Sequence, residues 1–369
     1  MHLEIEAVSS TVEKYLTTPT FSYFHPMKDK VFADLMSTLT SWHLQQCLEY
    51  SRIVSSITWD DFGHSTLEKT PFIPTRIFKN LLLRSVPQDQ IVKTMRSSGT
   101  SSGLQSAIEL DRLTARLQTR ALTNIMAVLL GTGRQPMLVI DSADSVGSRA
   151  AFSARGAAIR GFSMFGRHIE FALDEDLNLR EGVVERFIET HKDVQILIFG
   201  FTSLIWGFLK LLDESGSRFS LKKSIVLHGG GWKKLQDLAV SVEEFELAVK
   251  SRLGVSEVVN YYGLVEQTGS IFLGCKNGAL HSSAFSEVVI RDPYSFQPVP
   301  HGQEGVVQLL SVLPVSYPGH SILTEDLGVV LGDDDCPCGR PGRYFRVIGR
   351  MTMAEVRGCS DTIGSGLIT

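Results

Sequence analysis

The sequence is short of several features that define protein classes. Five cysteines in 369 residues are too few for a disulfide-stapled scaffold. Their odd number suits a reducing compartment, and the cytoplasm is the expected location. Charged residues are only 21% while hydrophobic residues reach 43%, which excludes a disordered tail, a collagen-like chain and a coiled-coil rod. The net charge of −4 advertises no basic field, so no nucleic-acid partner is expected. No internal repeat or low-complexity linker is seen. Residues 1–16 carry Glu4, Glu6 and Glu13 among spaced apolar residues. They read as an amphipathic helix rather than a signal peptide with a cationic start. The best membrane candidate, 194–212, is broken by Gln195, Gly200, Thr202, Ser203, Gly207 and Lys210. It reads as a buried strand over 194–199, a turn, and a helix from about Leu204, so no membrane span is expected.

What is present alternates. The length suits two or three units, or one large α/β body with an appendage. The first 90 residues look mainly helical, and 104–130 is a long helical pattern that Gly131 stops. Strands are expected at 137–140, ending at Asp141, then at 169–173, 194–199, 224–227 and 257–261. Helices fit 180–191 and 242–253, the second opened by a capping box of Ser241 and Glu244. Such alternation predicts an α/β sheet. Beyond Ile271 short strands separated by Gly, Pro and Asp predict a β-rich, barrel-like part, at 271–275, 286–290, 305–312, 328–331 and 344–348.

Chemistry first shows in Ser97-Ser98-Gly99-Thr100-Ser101-Ser102-Gly103. Such a loop offers backbone N–H groups and hydroxyls that can wrap nucleotide phosphates. It lacks the Gly-Lys-Ser/Thr ending of a Walker loop, and a flexible polar turn is the plain alternative. Gly99 to Gly103 also fits the G-x-S-x-G elbow of a hydrolase, with Asp141 and His228 or His320 completing a triad in chain order. Four further groups follow strands. His228-Gly229-Gly230-Gly231-Trp232 lets a flat ligand approach the backbone. Tyr261-Tyr262-Gly263-Leu264-Val265-Glu266 pairs an aromatic that can stack on a base with a carboxylate that can hold Mg²⁺. Leu323-Thr324-Glu325-Asp326 and Gly349-Arg350 add an acid and a cation. Their order and placement suit the hydrolase poorly.

The series SSGTSSG, GGG, YYGLVEQTG, LTED and VIGR resembles the adenylate-forming superfamily of acyl-CoA synthetases and nonribosomal adenylation enzymes. More narrowly, PFIPTRIFK, HGGGWKK, YYGLVEQTGSIF, SYPGHSILTEDLG, CPCGRPGRYF and RGCSDT look like acyl-protein synthetase of the LuxE type, from about Pro71 to near the C-terminus. In bacterial bioluminescence that protein is a subunit of a fatty-acid reductase complex. The resemblance implies an α/β adenylate-forming large domain over 1–348, with α/β sheets and the β-rich part, and a short arm over 349–369. Only about twenty residues follow Arg350, too few for the mobile second domain of the broad superfamily. The second half-reaction is therefore expected to fall to a terminal cysteine and a partner protein.

By this resemblance, ATP and a fatty or other carboxylic acid give an acyl-adenylate and pyrophosphate. Ser98, Gly99, Thr100, Ser101 and Gly103 would embrace the phosphates, Gly230 and Gly231 would flank the adenine, and Tyr262 would stack on it. Glu266 would ligate Mg²⁺, while Asp326 and Arg350 would hold the ribose. Two positions depart from the superfamily: Gln105 stands where the phosphate loop has Lys or Arg, and Val265 where Thr precedes the carboxylate. Lys233 or Lys234 is a candidate replacement cation, with a solvated surface lysine as the plain reading.

The cysteines sort into two jobs. Cys275, His281, Cys336 and Cys338 form C-x₅-H followed by C-x-C, a set able to close a tetrahedral structural Zn²⁺ site. The alternative is buried or free thiols in β turns, since C-x-C geometry disfavours an ordinary disulfide. Asp333, Asp334 and Asp335 read as a solvated turn rather than a calcium site. By resemblance, Cys359 carries the acyl group as a thioester and hands it to an acyl-CoA reductase-type or other acyl-acceptor protein. Arg357 can lower its pKa, and an inert thiol on a tail is the alternative. Phe199, Phe201 and Trp206 line an acyl channel or simply pack the core. The competing functions are an acyl-CoA or amide-forming ligase, the Ser101 hydrolase, and a non-catalytic nucleotide-binding subunit.

Overall fold

A computed structural model describes residues 10–56, 66–97, 105–147, 154–232 and 239–351. They form two compact units. One takes the described parts of Met1–Arg96, Gly103–Leu129 and Gly263–Glu355, and the other chiefly those of Leu130–Tyr262.

The Leu130–Tyr262 unit is a parallel α/β sheet, as the alternating pattern predicts. Its strands lie in the order Glu257–Tyr262, Ile225–Gly229, Leu197–Phe201, Gln135–Ser142, Gly166–Leu173. Parallel strands need crossover connections, and the helices Ala154–Ser163, Glu181–His191, Thr202–Ser215 and Val242–Leu253 supply them. Leu197–Phe201 and Ile225–Gly229 are buried at every position, as strands covered on both faces must be. The last helix keeps the bounds read from sequence. Ser241 Oγ accepts from the Glu244 N–H at 3.0 Å, and Gly254 closes the helix at φ 62°. One strand is displaced from expectation. Val194 caps the preceding helix, its N–H bonding His191 O at 3.1 Å, so the strand begins at Leu197. Strand order reverses direction at Gln135–Ser142, which has a neighbour on each side. The carboxyl ends beside such a strand are where open α/β sheets take ligands.

The other unit is antiparallel, in the order Ser286–Arg291, Gly305–Ser311, Ser321–Asp333, Arg343–Arg350, Leu280–His281, Phe272–Gly274. Helices His25–Gln46, Leu48–Ser56 and Arg112–Leu130 accompany it. The helix expected from 104 starts at Arg112 instead. Ala107–Asp111 is a strand paired with Ile91–Arg96, and Asp111 Oδ1 then accepts from the Thr114 N–H at 2.7 Å and caps the helix. An Ala-Ile-Glu-Leu segment fits both periods, so hairpin pairing decides it. The strand expected at 328–331 runs over Ser321–Asp333. Among the described residues, no helix is long and apolar enough to cross a membrane.

Candidate active site and metal centre

Glu266 sits on a single helical turn, Val265–Gln267, just after the Tyr-Tyr strand, and is 5% exposed. Its backbone is clamped. The Tyr317 hydroxyl donates to Glu266 O at 2.9 Å, and Gln118 Nε2 donates to that hydroxyl at 3.2 Å. Gln267 Nε2 donates to Leu309 O at 3.1 Å and Gly319 O at 2.8 Å. Gly269 leaves the turn at φ 90°, where any Cβ would lie 2.6 Å from the Gln118 carbonyl oxygen, so only glycine fits. Burial pushes the Glu266 carboxyl above its usual range. Hydrogen bonds from the Ser106 hydroxyl and its own backbone, with the Lys79 charge, pull it back down, and Asp326 pushes it up. A carboxylate whose charged form burial disfavours is one that a bound divalent cation would stabilise.

Asp326 and Arg350 face each other across the Ser321–Asp333 and Arg343–Arg350 strands. Arg350 Nε lies 3.6 Å from Asp326 Oδ1, and Arg350 Nη2 lies 3.0 Å from Glu325 Oε2. Arg76 also holds Glu325, at 2.6 Å. The structure thus places Asp326 and Arg350 side by side.

In the parallel unit, Gly230 and Gly231 follow the Ile225–Gly229 strand with φ of 83° and 59°. A Cβ on Gly230 would sit 2.5 Å from the Phe201 ring, so the backbone approaches an aromatic face that a side chain would block. Tyr262 ends the neighbouring strand. Tyr261 packs inward against Phe162 and Phe199, with ring centroids 4.8 and 6.3 Å away. Strand alternation turns Tyr262 to the opposite face. Phe199 and Phe201 are buried in this core, while Trp206 meets Trp232 at 5.7 Å.

The four zinc-ligand candidates are brought together. Cys275 Sγ, a His281 ring nitrogen, Cys336 Sγ and Cys338 Sγ all lie within 4.8 Å of one another. Cys275 Sγ to Cys336 Sγ is 3.9 Å, and Cys338 Sγ to His281 Nε2 is 3.3 Å. Ligands about 2.0–2.3 Å from a tetrahedral zinc would stand roughly 3.5–3.8 Å apart, so these spacings fit the ion. The cysteines are free thiols. Two turns aim the sulfurs. Gly278 N–H bonds Cys275 O, and Gly339 N–H bonds Cys336 O, both at 2.9 Å. The Arg340 N–H points at Cys338 Sγ at 3.4 Å. Burial and neighbouring sulfurs push the Cys336 thiol up to about 12, although a Cys338 backbone hydrogen bond opposes this. At Cys275 and Cys338 burial is outweighed by hydrogen bonds, and both thiols are held below their ordinary value. The acidic turn nearby is not merely solvated. Asp334 accepts from the His25 and Gly342 N–H groups at 2.9 and 2.6 Å, and Asp333 pairs with Arg343 at 3.0 Å.

Several sequence expectations lie outside the described residues: Ser98, Gly99, Thr100, Ser101, Gly103, Lys233, Lys234, Arg357 and Cys359. The hydrolase triad finds no support in its described members. Asp141 Oδ1 accepts from Ser145 Oγ at 2.5 Å and its other oxygen faces Arg155 Nε at 3.2 Å, while His228 Nδ1 is 3.0 Å from Thr202 Oγ1. His320 stacks on His43 with ring centroids 4.8 Å apart, in the antiparallel unit. Ser106, which donates to Glu266, and Lys79, whose charge reaches it, are not singled out by any sequence motif for this site. Lys79 closes the PFIPTRIFK stretch.

The chain matches the family model described as acyl-protein synthetase, LuxE, over residues 3–368. It is similar to a long-chain-fatty-acid–luciferin-component ligase of Vibrio harveyi, 26% identical over 305 residues, spanning 80% of this chain and 77% of that one. The namesake from Aliivibrio fischeri is 20% identical over 302 residues, spanning 80% and 78%. A crystal structure of 2-hydroxyisobutyryl-CoA ligase with 2-HIB-AMP and CoA matches with a TM-score of 0.65 at 17% identity, over 89% of this chain and 76% of that one. This last likeness establishes an adenylate-forming fold. The family match covers nearly all of the sequence, and on it the chain belongs to the LuxE acyl-protein synthetases and is a ligase.

Proposed function

We propose that the protein uses ATP and Mg²⁺ to activate a long-chain carboxylic acid, then passes the acyl group to Cys359 and on to a partner protein. The substrate carboxylate oxygen attacks the α-phosphorus of ATP. The bond to the β-phosphate breaks, and pyrophosphate departs with the electron pair. In the second step the Cys359 thiolate, its proton lost to solvent, attacks the acyl carbon and AMP leaves. A nucleophile on an acyl-acceptor protein of the reductase type then attacks the thioester carbon, taking the acyl group and releasing the Cys359 thiolate.

The observation that carries this reading is the buried Glu266 carboxylate on its clamped turn, with Asp326 in its field, in a chain of an acyl-protein synthetase family. Bound Mg²⁺ supplies charge neutralisation on the phosphates. Glu266 is the residue proposed to hold it, and the rigid turn fixes that carboxylate before the substrate arrives. Asp326 accepts from ribose hydroxyls, with Arg350 beside it. Tyr262 stacks on the adenine beside Gly230 and Gly231, and Ser98, Gly99, Thr100, Ser101 and Gly103 donate to phosphate oxygens. Cys275, His281, Cys336 and Cys338 hold a structural Zn²⁺ that fixes the turns of the antiparallel unit. The test is mass spectrometry of the chain after incubation with ATP, Mg²⁺ and a fatty acid. An acyl adduct that Cys359→Ser abolishes supports the assignment. An adduct that persists in full in Cys359→Ser excludes it.

A further inference from the structure

Gln105 leaves the triphosphate tail without the cation that adenylate-forming enzymes place there, and a cleft of about 390 Å³ in the antiparallel unit offers a replacement. Phe78, Lys79, Thr94, Arg96, Gln105 and Glu109 are among its lining. At ~30 Å³ per water it has room for about a dozen waters, ample for a nine-heavy-oxygen-and-phosphorus ligand such as pyrophosphate. We propose that Lys79 and Arg96 form the cationic wall of this cleft and receive the β- and γ-phosphates of ATP, and the pyrophosphate released from them. The proposal rests on the adenylation reading above and adds the residues that take its leaving group.

Three observations support it. First, the charge balance is positive. The cleft's carboxylate, Glu109, already pairs with Arg84 at 3.0 Å. Neither Lys79 nor Arg96 makes an ion pair among the described residues. Second, Lys79 is tied to Glu266. It sits half-exposed on the short helix Ile77–Asn80 beside buried Phe78. The Phe78 ring meets Tyr317 edge-on at 6.2 Å, and the Tyr317 hydroxyl donates to Glu266 O. The Lys79 charge is felt at the Glu266 carboxylate. A cation whose charge reaches the carboxylate proposed for Mg²⁺ would add positive potential for a bound polyphosphate. Third, Arg96 ends the strand Ile91–Arg96 opposite Ala107, at the entry to the Ser/Thr/Gly stretch, with Gln105 at its exit.

A merely structural Lys79, balancing Glu266, would weaken every ligand alike or only the fold. The experiment is calorimetric binding of Mg²⁺–pyrophosphate and, separately, of AMP to the full chain, as wild type, Lys79→Gln, Arg96→Gln, the double variant and Lys79→Arg. The expected result is pyrophosphate binding weakened at least about tenfold by Lys79→Gln and further by the double variant, the loss of charge-assisted contacts. AMP affinity stays within about twofold, and Lys79→Arg restores most pyrophosphate affinity. Equal weakening of AMP and pyrophosphate, unchanged pyrophosphate affinity in the double variant, or a wild type that binds AMP but not pyrophosphate would each overturn it. Acid-dependent ATP–pyrophosphate exchange by the wild type, run alongside, separates the two ideas. Lys79-dependent pyrophosphate binding without exchange on any acid defeats the adenylation reading and leaves the cleft assignment standing.

Discussion

The two units fill their interiors with different chemistry. The parallel unit buries Leu138, Ile140, Ile196, Ile198, Ile205 and Val226 in one apolar cluster. Among its buried polar groups, Asp141, Thr202 and His228 sit at or just after strand carboxyl ends, where Asp141 makes a buried ion pair with Arg155 at 3.2 Å. The antiparallel unit buries charges within its core. Lys28 Nζ meets Glu287 Oε2 at 2.6 Å, Ser282 Oγ donates to the other carboxylate oxygen at 2.7 Å, and Arg291 Nε donates to Gln308 at 2.6 Å. An apolar core tolerates volume-conserving change, whereas a buried charge network fails when one member is lost. The candidate metal cluster and the Glu266 turn both belong to the unit that already depends on satisfied polar groups.

That contrast can be broken from the strongest effect downward. Replacing Cys336 by Ser should take bound zinc from about one per chain to near none and lower the melting temperature more than any substitution below, because metal binding is folding energy. Metal analysis and a thermal melt of the same samples check this, and wild type purified without chelators yet free of zinc would refute it. Next, Lys28→Met removes the ammonium that touches the buried Glu287, leaving Arg343 as the remaining cation in its field, and should cost about 3–5 kcal/mol. Adding Glu287→Gln should recover part of that loss in urea melts, and equal loss in single and double variants would contradict the pairing.

The third effect is pH-dependent. Burial holds His43 down at about 3, and its backbone hydrogen bond to Pro314 only partly opposes this. Burial, then the His43 charge, hold His320 well below its ordinary value. Thr40, Ser85 and Tyr50 surround the pair. Both rings fold neutral, so their contribution is complete above about pH 6.5 and declines as pH falls toward their folded values. Each unit of pH below about 6.5 should remove up to about 1.4 kcal/mol per ring. A His43→Gln variant should show a shallower acid slope in melts between about pH 6.5 and 5. An unchanged slope would mean that His43 is not buried neutral. The smallest effect belongs to the parallel unit, where Ile198→Val should cost only about 0.5–1.5 kcal/mol. A loss as large as that of Lys28→Met would erase the distinction between the units.

Much of this was legible in the sequence because the relevant forces are local. Continuous apolar runs marked the parallel strands, and Ser241 with Glu244 marked a helix start to the residue. The C-x₅-H and C-x-C spacings marked the cluster, since sulfur and imidazole in turns have few other uses. What depended on pairing was hidden. The Ala107–Asp111 strand reads as helix until Ile91–Arg96 is beside it. Of the cleft's cations, Lys79 is far from Glu266 in sequence, and Arg96, beside the Ser/Thr/Gly stretch, stands outside any motif. Buried Lys28 looks like any helix-surface lysine until Glu287 lies against it.

The central claim is that Glu266 and its surroundings serve adenylate formation. Its most direct test is ATP–pyrophosphate exchange across a panel of carboxylic acids, with wild type, Glu266→Gln and Cys359→Ser. The account predicts exchange that requires an acid of long chain, falls at least about a hundredfold in Glu266→Gln, roughly 3 kcal/mol of lost transition-state stabilisation, and persists in Cys359→Ser. Exchange of equal rate in Glu266→Gln, or none with any acid in the wild type, would contradict it.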